Sequence, residues 1–244
     1  MIYLTGDIHG GIDIHKLASK HFDRTNMTRD DYVVILGDFG LVWNWPPSKE
    51  EKFWLHWLED APWTTLVVLG NHENYPLVRS NYEAVPWHGG HVRPICKHVL
   101  QLVDNEIFDI DGKTFFVRGG AHSIDRHLRI QNKTWWREEV PTEKEREAAF
   151  EKLRSVDWKV DYVLSHDAPL DALFALYTRM NQAPFGDEYE RWLQKLANNL
   201  EFERWFFGHH HQDMALGKFN AVYNTVVELD GMASGRMKLP ARRW

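Results

Sequence analysis

The chain has 244 residues, a length that suits one domain with a single sizeable core. Its 43% hydrophobic and 26% charged residues are ordinary for a globular protein, whereas 14 histidines and 12 tryptophans are high counts. The formal net charge of -6 disfavours a protein that holds nucleic acid mainly through its phosphates. The single cysteine, Cys96, excludes an intramolecular disulfide. Because no apolar run matches a signal peptide or a membrane span, we expect a cytoplasmic protein that does not bind membranes.

Strand-like and helical segments alternate along the first part of the chain, which is typical of an α/β domain. Residues 2–5 form an apolar run that breaks at Gly6-Asp7, and we expect a helix from there to about residue 22. Residues 32–36 are a continuous apolar run, as in a buried strand, and they break at Gly37-Asp38.

A third strand follows in the same manner. Ser48 and Glu51 form a capping box ahead of a helical pattern, and residues 65–69 then predict a buried strand that ends at Gly70-Asn71. Three buried strands thus end in glycine and a polar residue. Glycine at these points lets the backbone turn sharply and approach a bound group closely.

The middle of the chain predicts a second sheet. Residues 98–103 and 106–110 resemble short strands, and Asp111-Gly112 followed by residues 113–117 is a strong hairpin pattern. Two sheets and several helices, with no internal repeat or linker, predict one domain over residues 1–244.

The last third returns to alternating elements. Thr142 and Glu145 form a second capping box that opens a helix to about residue 154. Residues 161–164 predict a strand that delivers His166, residues 187–200 a helix, and residues 205–207 a strand that runs into residues 208–211. Residues 219–229 predict two more strands.

Seven side chains of metal-ligand type follow five of these strands. They are Asp7, His9, Asp38, Asn71, His166, His209 and His211. The carboxyl ends of the strands are where α/β sheets place their sites, so we expect these side chains to converge. Carboxylate, amide and imidazole groups suit first-row divalent ions, and two such ions can share a hydroxide for hydrolysis. His210 should face the opposite way, because alternate residues of an extended segment do so.

The order of these motifs resembles the calcineurin-like metallophosphoesterase superfamily, in the form of its bacterial or phage members. The motifs are Asp7-Ile8-His9, Gly37-Asp38, Gly70-Asn71-His72-Glu73, His166 and Gly208-His209-His210-His211. The resemblance implies a four-layer αββα sandwich of two mixed β-sheets flanked by helices, with two metal ions at the sheet edges.

The resemblance also implies a role for each matching residue. One ion would be held by Asp7, His9 and His211, and the other by Asn71, His166 and His209. Asp38 would bridge the two ions. His72 would lie near the phosphate and protonate the leaving oxygen as a general acid. Mn, Fe and Zn all accept this donor set.

One motif departs from the pattern of the phosphoprotein phosphatases. Leu41 and Val42 stand where those relatives carry an acid and a phosphate-binding arginine, so protein phosphatase activity is disfavoured. A substitute cation is expected from the segment after the hairpin strand, from His122, Arg126 or Arg129.

Together these patterns predict a dinuclear metal-dependent phosphoesterase that hydrolyses a small phosphomonoester or phosphodiester by metal-bound hydroxide attack. A nucleotide is one candidate substrate, because loop tryptophans at 43, 45, 135 and 136 could stack on a ring; they could equally pack the loops onto the body. Two alternatives remain: a metal-dependent nuclease, which the charge does not favour, and a metal-binding regulatory module without turnover.

Overall fold

The computed structural model describes residues 1–229 and 231. These residues form two β-sheets that pack face to face, with helices on both outer faces. The strands are β1 (Ile2–Thr5), β2 (Tyr32–Leu36), β3 (Thr64–Val68), β4 (Val85–Trp87), β5 (Gly90–Cys96), β6 (Val99–Leu102), β7 (Ile107–Ile110), β8 (Lys113–Arg118), β9 (Tyr162–Ser165), β10 (Arg204–Phe207), β11 (Met214–Leu216), β12 (Phe219–Ala221) and β13 (Val227–Glu228). The helices are α1 (Lys49–Glu59), α2 (Tyr75–Asn81), α3 (Glu143–Arg154), α4 (Leu170–Arg179) and α5 (Glu188–Asn199).

Both sheets are mixed. The first has the order β13-β1-β2-β3-β6-β5-β4, with β1, β2, β3 and β6 parallel and antiparallel strands at its two ends. The second has the order β11-β12-β10-β9-β8-β7, with four parallel central strands and antiparallel strands at its edges. The predicted pair of mixed sheets is therefore confirmed.

Three apolar cores separate the layers. The one between the sheets contains Leu4 and Val34 from the first sheet with Leu164 and Phe206 from the second. On the outer face of the first sheet, Ile35 packs against residues of α1 and α2. On the outer face of the second sheet, α3, α4 and α5 cover β8, β9 and β10. Because β2 is buried on both faces, it reads as a continuous apolar run, and the four-layer αββα arrangement is confirmed.

The predicted capping boxes are confirmed. At α1 the Ser48 side chain accepts from the Glu51 backbone N–H while the Glu51 side chain accepts from the Ser48 N–H, and Thr142 and Glu145 make the same pair of bonds at α3. Each box satisfies backbone donors that the first turn of a helix leaves without partners.

The predicted helix to residue 22 is wrong. The segment has one 3-10 turn, Ile14–Leu17, and then leaves helical geometry at Ala18, whose φ is -71° and ψ 150°. Ile14 and Leu17 bury themselves within that single turn, and Lys16 donates to the backbone carbonyls of Asp7 and Tyr223. These contacts fix the single turn beside β1.

None of the helices in residues 1–229 is both long and apolar enough to cross a membrane.

Candidate metal centre

Five loops meet where the parallel strands β1, β2, β3, β9 and β10 end. They bring together two groups of side chains whose ligand atoms lie within 4.8 Å of one another: Asp7, His9 and His211 in one, and Asp38, His166 and His209 in the other. Asn71 joins the second group, because its Oδ1 lies 2.9 Å from Nε2 of His166. We call Asp7, His9 and His211 the exposed half, and Asn71, His166 and His209 the buried half.

Glycines make this convergence possible. A Cβ added to Gly37 would lie 2.0 Å from Nδ1 of His166, and one added to Gly70 would lie 2.1 Å from Oδ1 of Asp38. Neither distance is compatible with any side chain. The glycine of one motif thus provides the space for the functional side chain of another, which explains the glycines before Asp38 and Asn71.

Four of the converging residues have left-handed backbone conformations. The φ angles are 44° at His9, 44° at Asp38, 61° at His209 and 50° at His211. Such conformations are unfavourable for residues with a side chain, cost of order 1–3 kcal/mol each, and cluster at functional sites. The surrounding packing therefore holds these four residues in a backbone conformation that they would not adopt on their own.

Asp38 lies between the two halves. Its Oδ2 is 3.4 Å from Nε2 of His9, and its Oδ1 is 3.3 Å from Nε2 of His166, while the side chain is 2% exposed. Oδ1 also accepts a hydrogen bond from the backbone N–H of His72. Burial opposes ionisation, but the imidazoles of His166 and His9 lower the pKa of Asp38 well below its ordinary value. One buried carboxylate thus offers one oxygen to each half.

In the buried half, His166 is oriented by the backbone. Its Nδ1 lies 2.8 Å from the carbonyl oxygen of Leu36, which can only accept, so Nδ1 carries a proton. In the neutral ring Nε2 then has a lone pair that faces two further acceptors, Oδ1 of Asn71 and Oδ1 of Asp38. Three converging acceptors require a positive charge between them, and the donor set fits a divalent cation. Without a metal ion, a proton on Nε2 supplies that charge: burial disfavours it, but Asp38 raises the pKa of His166 to about 10. A divalent cation would take the place of this proton.

The Asn71 amide is held by two residues that the sequence patterns did not single out. Its Nδ2 donates to Oγ of Ser123 at 3.0 Å, and this hydroxyl donates to Oε2 of Glu139 at 2.7 Å. The Ser123 backbone N–H donates to the other Glu139 oxygen at 2.9 Å. This chain turns Oδ1 of Asn71 toward His166.

In the exposed half, Asp7 has a buried oxygen without a hydrogen bond. This Oδ2 lies 3.0 Å from Nε2 of His211, but the alignment is not that of a hydrogen bond. A buried carboxylate oxygen without a hydrogen bond is costly, and a cation between Asp7 and His211 would offset the cost. His9 has its Nδ1 2.8 Å from Oδ2 of Asp13, a carboxylate–histidine pair of the kind that orients metal ligands. The residues of both halves therefore fit divalent cations.

A family model for calcineurin-like phosphoesterases matches residues 1–213, which include every residue of the two halves. The chain belongs to the calcineurin-like phosphoesterase family. It is therefore a metal-dependent phosphoric ester hydrolase. No curated protein matches it.

Two examples illustrate the solved structures that match this phosphoesterase. A phosphopantetheinyl hydrolase (PptH) from Mycobacterium tuberculosis has 17% identity and a TM-score of 0.41, and the match covers 91% of this chain and 89% of that one. A protein of unknown function from Aquifex aeolicus has 12% identity and a TM-score of 0.36, with 97% and 99% covered.

His72 lies beside the centre, where it contacts Arg129. Its Nε2 is 3.9 Å from Oδ2 of Asp38, farther than the Nε2 atoms of His9 and His166 are from this carboxylate. The Arg129 guanidinium places one nitrogen 2.8 Å from Nδ1 of His72 and another 3.0 Å from Nε2, and Asp125 holds the guanidinium from the other side. Burial lowers the pKa of His72, and Arg129 lowers it further while Asp38 opposes the shift.

The three predicted substitute cations differ in position. Arg129 reaches His72, as described, whereas His122 directs Nδ1 to the carboxylate of Asp187, whose hydrogen bond raises the pKa of His122. Arg126 is exposed. Its charge opposes the rise in pKa that the Asp187 hydrogen bond gives His122 and that burial gives Glu139. Arg129 is therefore the predicted cation that the fold brings to the centre.

Other predicted residues lie away from the two halves. His210 places Nε2 3.0 Å from Asp167 and Nδ1 3.0 Å from the hydroxyl of Tyr177, so it faces away from both halves, as expected from strand alternation. Leu41 and Val42, which replace the acid and arginine of the phosphatase motif, are buried in the core between the first sheet and its helices.

The loop tryptophans differ in their contacts. Trp136 is buried, and its ring centroid lies 4.9 Å from that of Trp43, so this pair packs two loops together. Trp45 is 59% exposed and meets Tyr82 edge to face. Trp135 is half-buried.

Proposed function

We propose that this phosphoesterase holds two divalent cations and hydrolyses a small phosphomonoester or phosphodiester, nucleotides included. The observation that carries the proposal is the position of Asp38, with one oxygen 3.4 Å from His9 and the other 3.3 Å from His166. A carboxylate shared between the two groups of ligands offsets the repulsion between two cations. When bound, the cations would lower the pKa of a water molecule and neutralise the phosphoryl oxygens.

Each half contributes a different set of ligands. Asp7, His9 and His211 would hold one cation, and Asn71, His166 and His209 the other, with Asp38 shared. Burial lowers the pKa of His209 to about 4, which keeps its lone pair available. The oxygen and nitrogen donors accept Mn, Fe or Zn.

His72 and Arg129 act on the substrate. His72 is within reach of a group bound at Asp38 without belonging to either half, a position suited to a general acid that protonates the leaving oxygen. Burial and Arg129 lower its pKa in the substrate-free protein. The negative charge of a bound phosphate would raise that pKa, so the ring would carry its proton in the complex. Arg129 brings a guanidinium to the same place, and guanidinium groups bind phosphate through paired hydrogen bonds. It would supply the charge that the second motif lacks at Val42.

The test is hydrolysis by metal-stripped protein with Mn, Fe, Ni or Zn added back. The substrates are p-nitrophenyl phosphate and bis-p-nitrophenyl phosphate, and the control is Asp38→Asn. We expect metal-dependent turnover that the variant lacks, with the ratio of the two rates ranking monoester against diester. No turnover with any metal, in protein that binds two ions, would contradict the proposal and favour a non-catalytic module.

A further inference from the structure

Tyr223, on the loop between β12 and β13, contacts the exposed half in two ways. Its ring stacks on the His211 imidazole, with centroids 4.4 Å apart and 10° between the planes. Its hydroxyl lies 3.3 Å from Oδ2 of Asp13, and that same oxygen lies 2.8 Å from Nδ1 of His9. One side chain therefore acts on both imidazoles of the exposed half, directly on His211 and through Asp13 on His9.

The loop that carries Tyr223 is fixed independently of these contacts. Asp213 accepts hydrogen bonds from the backbone N–H groups of Tyr223 at 2.8 Å and of Asn224 and Thr225 at 3.1 Å. Lys16 donates from Nζ to the carbonyl oxygens of both Asp7 and Tyr223, which ties the loop to the first motif. The tyrosine ring is thus presented to His211 by a backbone that is held at several points.

Gly6 allows the loop to approach this closely. A Cβ on Gly6 would lie 2.1 Å from the carbonyl oxygen of Val222 and 2.8 Å from Cα of Tyr223. Because Gly6 directly precedes Asp7, this loop closes on the metal centre as tightly as the metal-binding loops close on one another.

A purely structural role does not account for the contacts of Tyr223. In the part of the chain that the structure describes, its ring belongs to none of the three apolar cores. Its hydroxyl is directed to a carboxylate that already holds an imidazole. A ring that only filled space would need neither this hydroxyl nor the parallel stack.

We infer that Tyr223 and Asp13 form a positioning pair that sets the affinity of the exposed half for its cation without binding the cation. The stack limits rotation of the His211 ring, and the Asp13 carboxylate fixes the His9 ring with Nε2 directed inward. Both effects order the ligands before the cation arrives, so their loss weakens binding. The inference rests on the two-cation centre proposed above, and it predicts an effect on one cation only.

The test is titration of Mn²⁺ into metal-stripped protein. Calorimetry and the electron paramagnetic resonance signal of free Mn²⁺ both measure how much of the ion is bound. The variants are Tyr223→Leu, Tyr223→Phe and Asp13→Asn. Wild type should bind two ions. Tyr223→Leu and Asp13→Asn should retain one of them at wild-type affinity and weaken the other about 10- to 100-fold, the usual effect of losing a residue that orients a metal ligand. Tyr223→Phe keeps the ring stack on His211 and should therefore weaken the binding of that ion less than Tyr223→Leu does.

Tyr82→Leu is the matched control, since Tyr82 is also half-buried but packs against Trp45. It should leave both affinities unchanged, and thermal unfolding checks that every variant is folded. Wild-type affinities in Tyr223→Leu and Asp13→Asn would overturn the inference, and so would equal weakening of both ions. A wild-type protein that binds fewer than two ions would instead contradict the two-cation centre itself.

Discussion

In the buried half of the centre, His166 is held by a backbone carbonyl and packs where Gly37 leaves room, whereas in the exposed half His9 and His211 are held by the side chains of Asp13 and Tyr223. Exposure follows the same division: His166 is 0% exposed and His211 47%. Ligands fixed by backbone have little freedom, because the backbone itself is part of a sheet. Ligands fixed by side chains can be adjusted by single substitutions without altering the fold.

Removal of the shared carboxylate should affect both halves and give the largest effect. Asp38→Asn lacks the charge that offsets the repulsion between two cations. We expect loss of at least one metal ion and a fall in kcat/KM of about 10³-fold or more, since an ion contributes several kcal/mol to the transition state. Metal analysis and p-nitrophenyl phosphate kinetics measure this, and circular dichroism should show an intact fold. Full turnover would refute the role of Asp38.

His72→Ala should leave both halves intact and slow the chemistry. A general acid typically contributes about 10²- to 10⁴-fold, so kcat should fall by at least about 100-fold while two ions remain bound. Because p-nitrophenolate is a good leaving group, an alkyl phosphate should be affected more than p-nitrophenyl phosphate. Equal effects on the two substrates would exclude the general-acid role.

Gly37→Ala should disrupt the buried half. Its Cβ would lie 2.0 Å from the His166 ring, and Gly37 has a φ of 97°. We expect a loss of about 3 kcal/mol in the free energy of unfolding, measured with urea, together with loss of the buried ion. Gly112→Ala is the control, because its φ is 72° but no atom lies within 4 Å of the added Cβ. It should cost about 1 kcal/mol, and equal losses would contradict the steric argument.

Arg129→Ala should weaken substrate binding at the side of the centre where His72 lies. Loss of a charged hydrogen bond to phosphate should raise KM about 10-fold with metal content unchanged. Arg129→Lys should recover part of the loss, and Arg126→Ala, which removes an exposed arginine of the same segment, should have a smaller effect. Unchanged KM in Arg129→Ala would remove this arginine from the phosphate site.

Ser123→Ala should give the smallest effect, confined to the buried half. Without the Ser123 hydroxyl the Asn71 amide loses the contact that directs its oxygen to His166. We expect a weakening of one cation by up to about 10-fold, the lower end for residues that orient a ligand. Mn²⁺ titration measures it, and weakening of the same ion that Tyr223→Leu weakens would place Ser123 in the wrong half.

The ligand types and the layers could be predicted because each depends on a local pattern. Asp7, Asp38 and Asn71 each follow a glycine at the end of an apolar strand, and the sequence of β2 shows burial on both faces. Helix α4 was not predicted, because it begins after Pro169 without a side-chain cap and so lacks the capping pattern that marks the start of α1 and α3. Periodicity predicts a longer helix after β1 because it does not show that Lys16 donates to the carbonyl oxygen of Tyr223, far away in sequence, a contact that fixes a single 3-10 turn.

The residues that orient the ligands could not be predicted for a different reason. Asp13 lies four residues after His9, but carboxylates at that spacing are common in turns. Ser123, Glu139 and Tyr223 are common turn, cap or surface types, and no spacing relates them to the motifs. The hydroxyl of Tyr223 and the carboxylate of Asp13 are separated by 210 positions. Only the packing of β13 beside β1 and of the adjoining loops brings them together.

The most direct measurement for the two-cation centre is anomalous diffraction at the Mn edge from crystals soaked in Mn²⁺. We expect two peaks about 3.5–4 Å apart, with Asp38 between them. One peak should lie among Asp7, His9 and His211, and the other among Asn71, His166 and His209. A single peak, or two peaks without Asp38 between them, would contradict it.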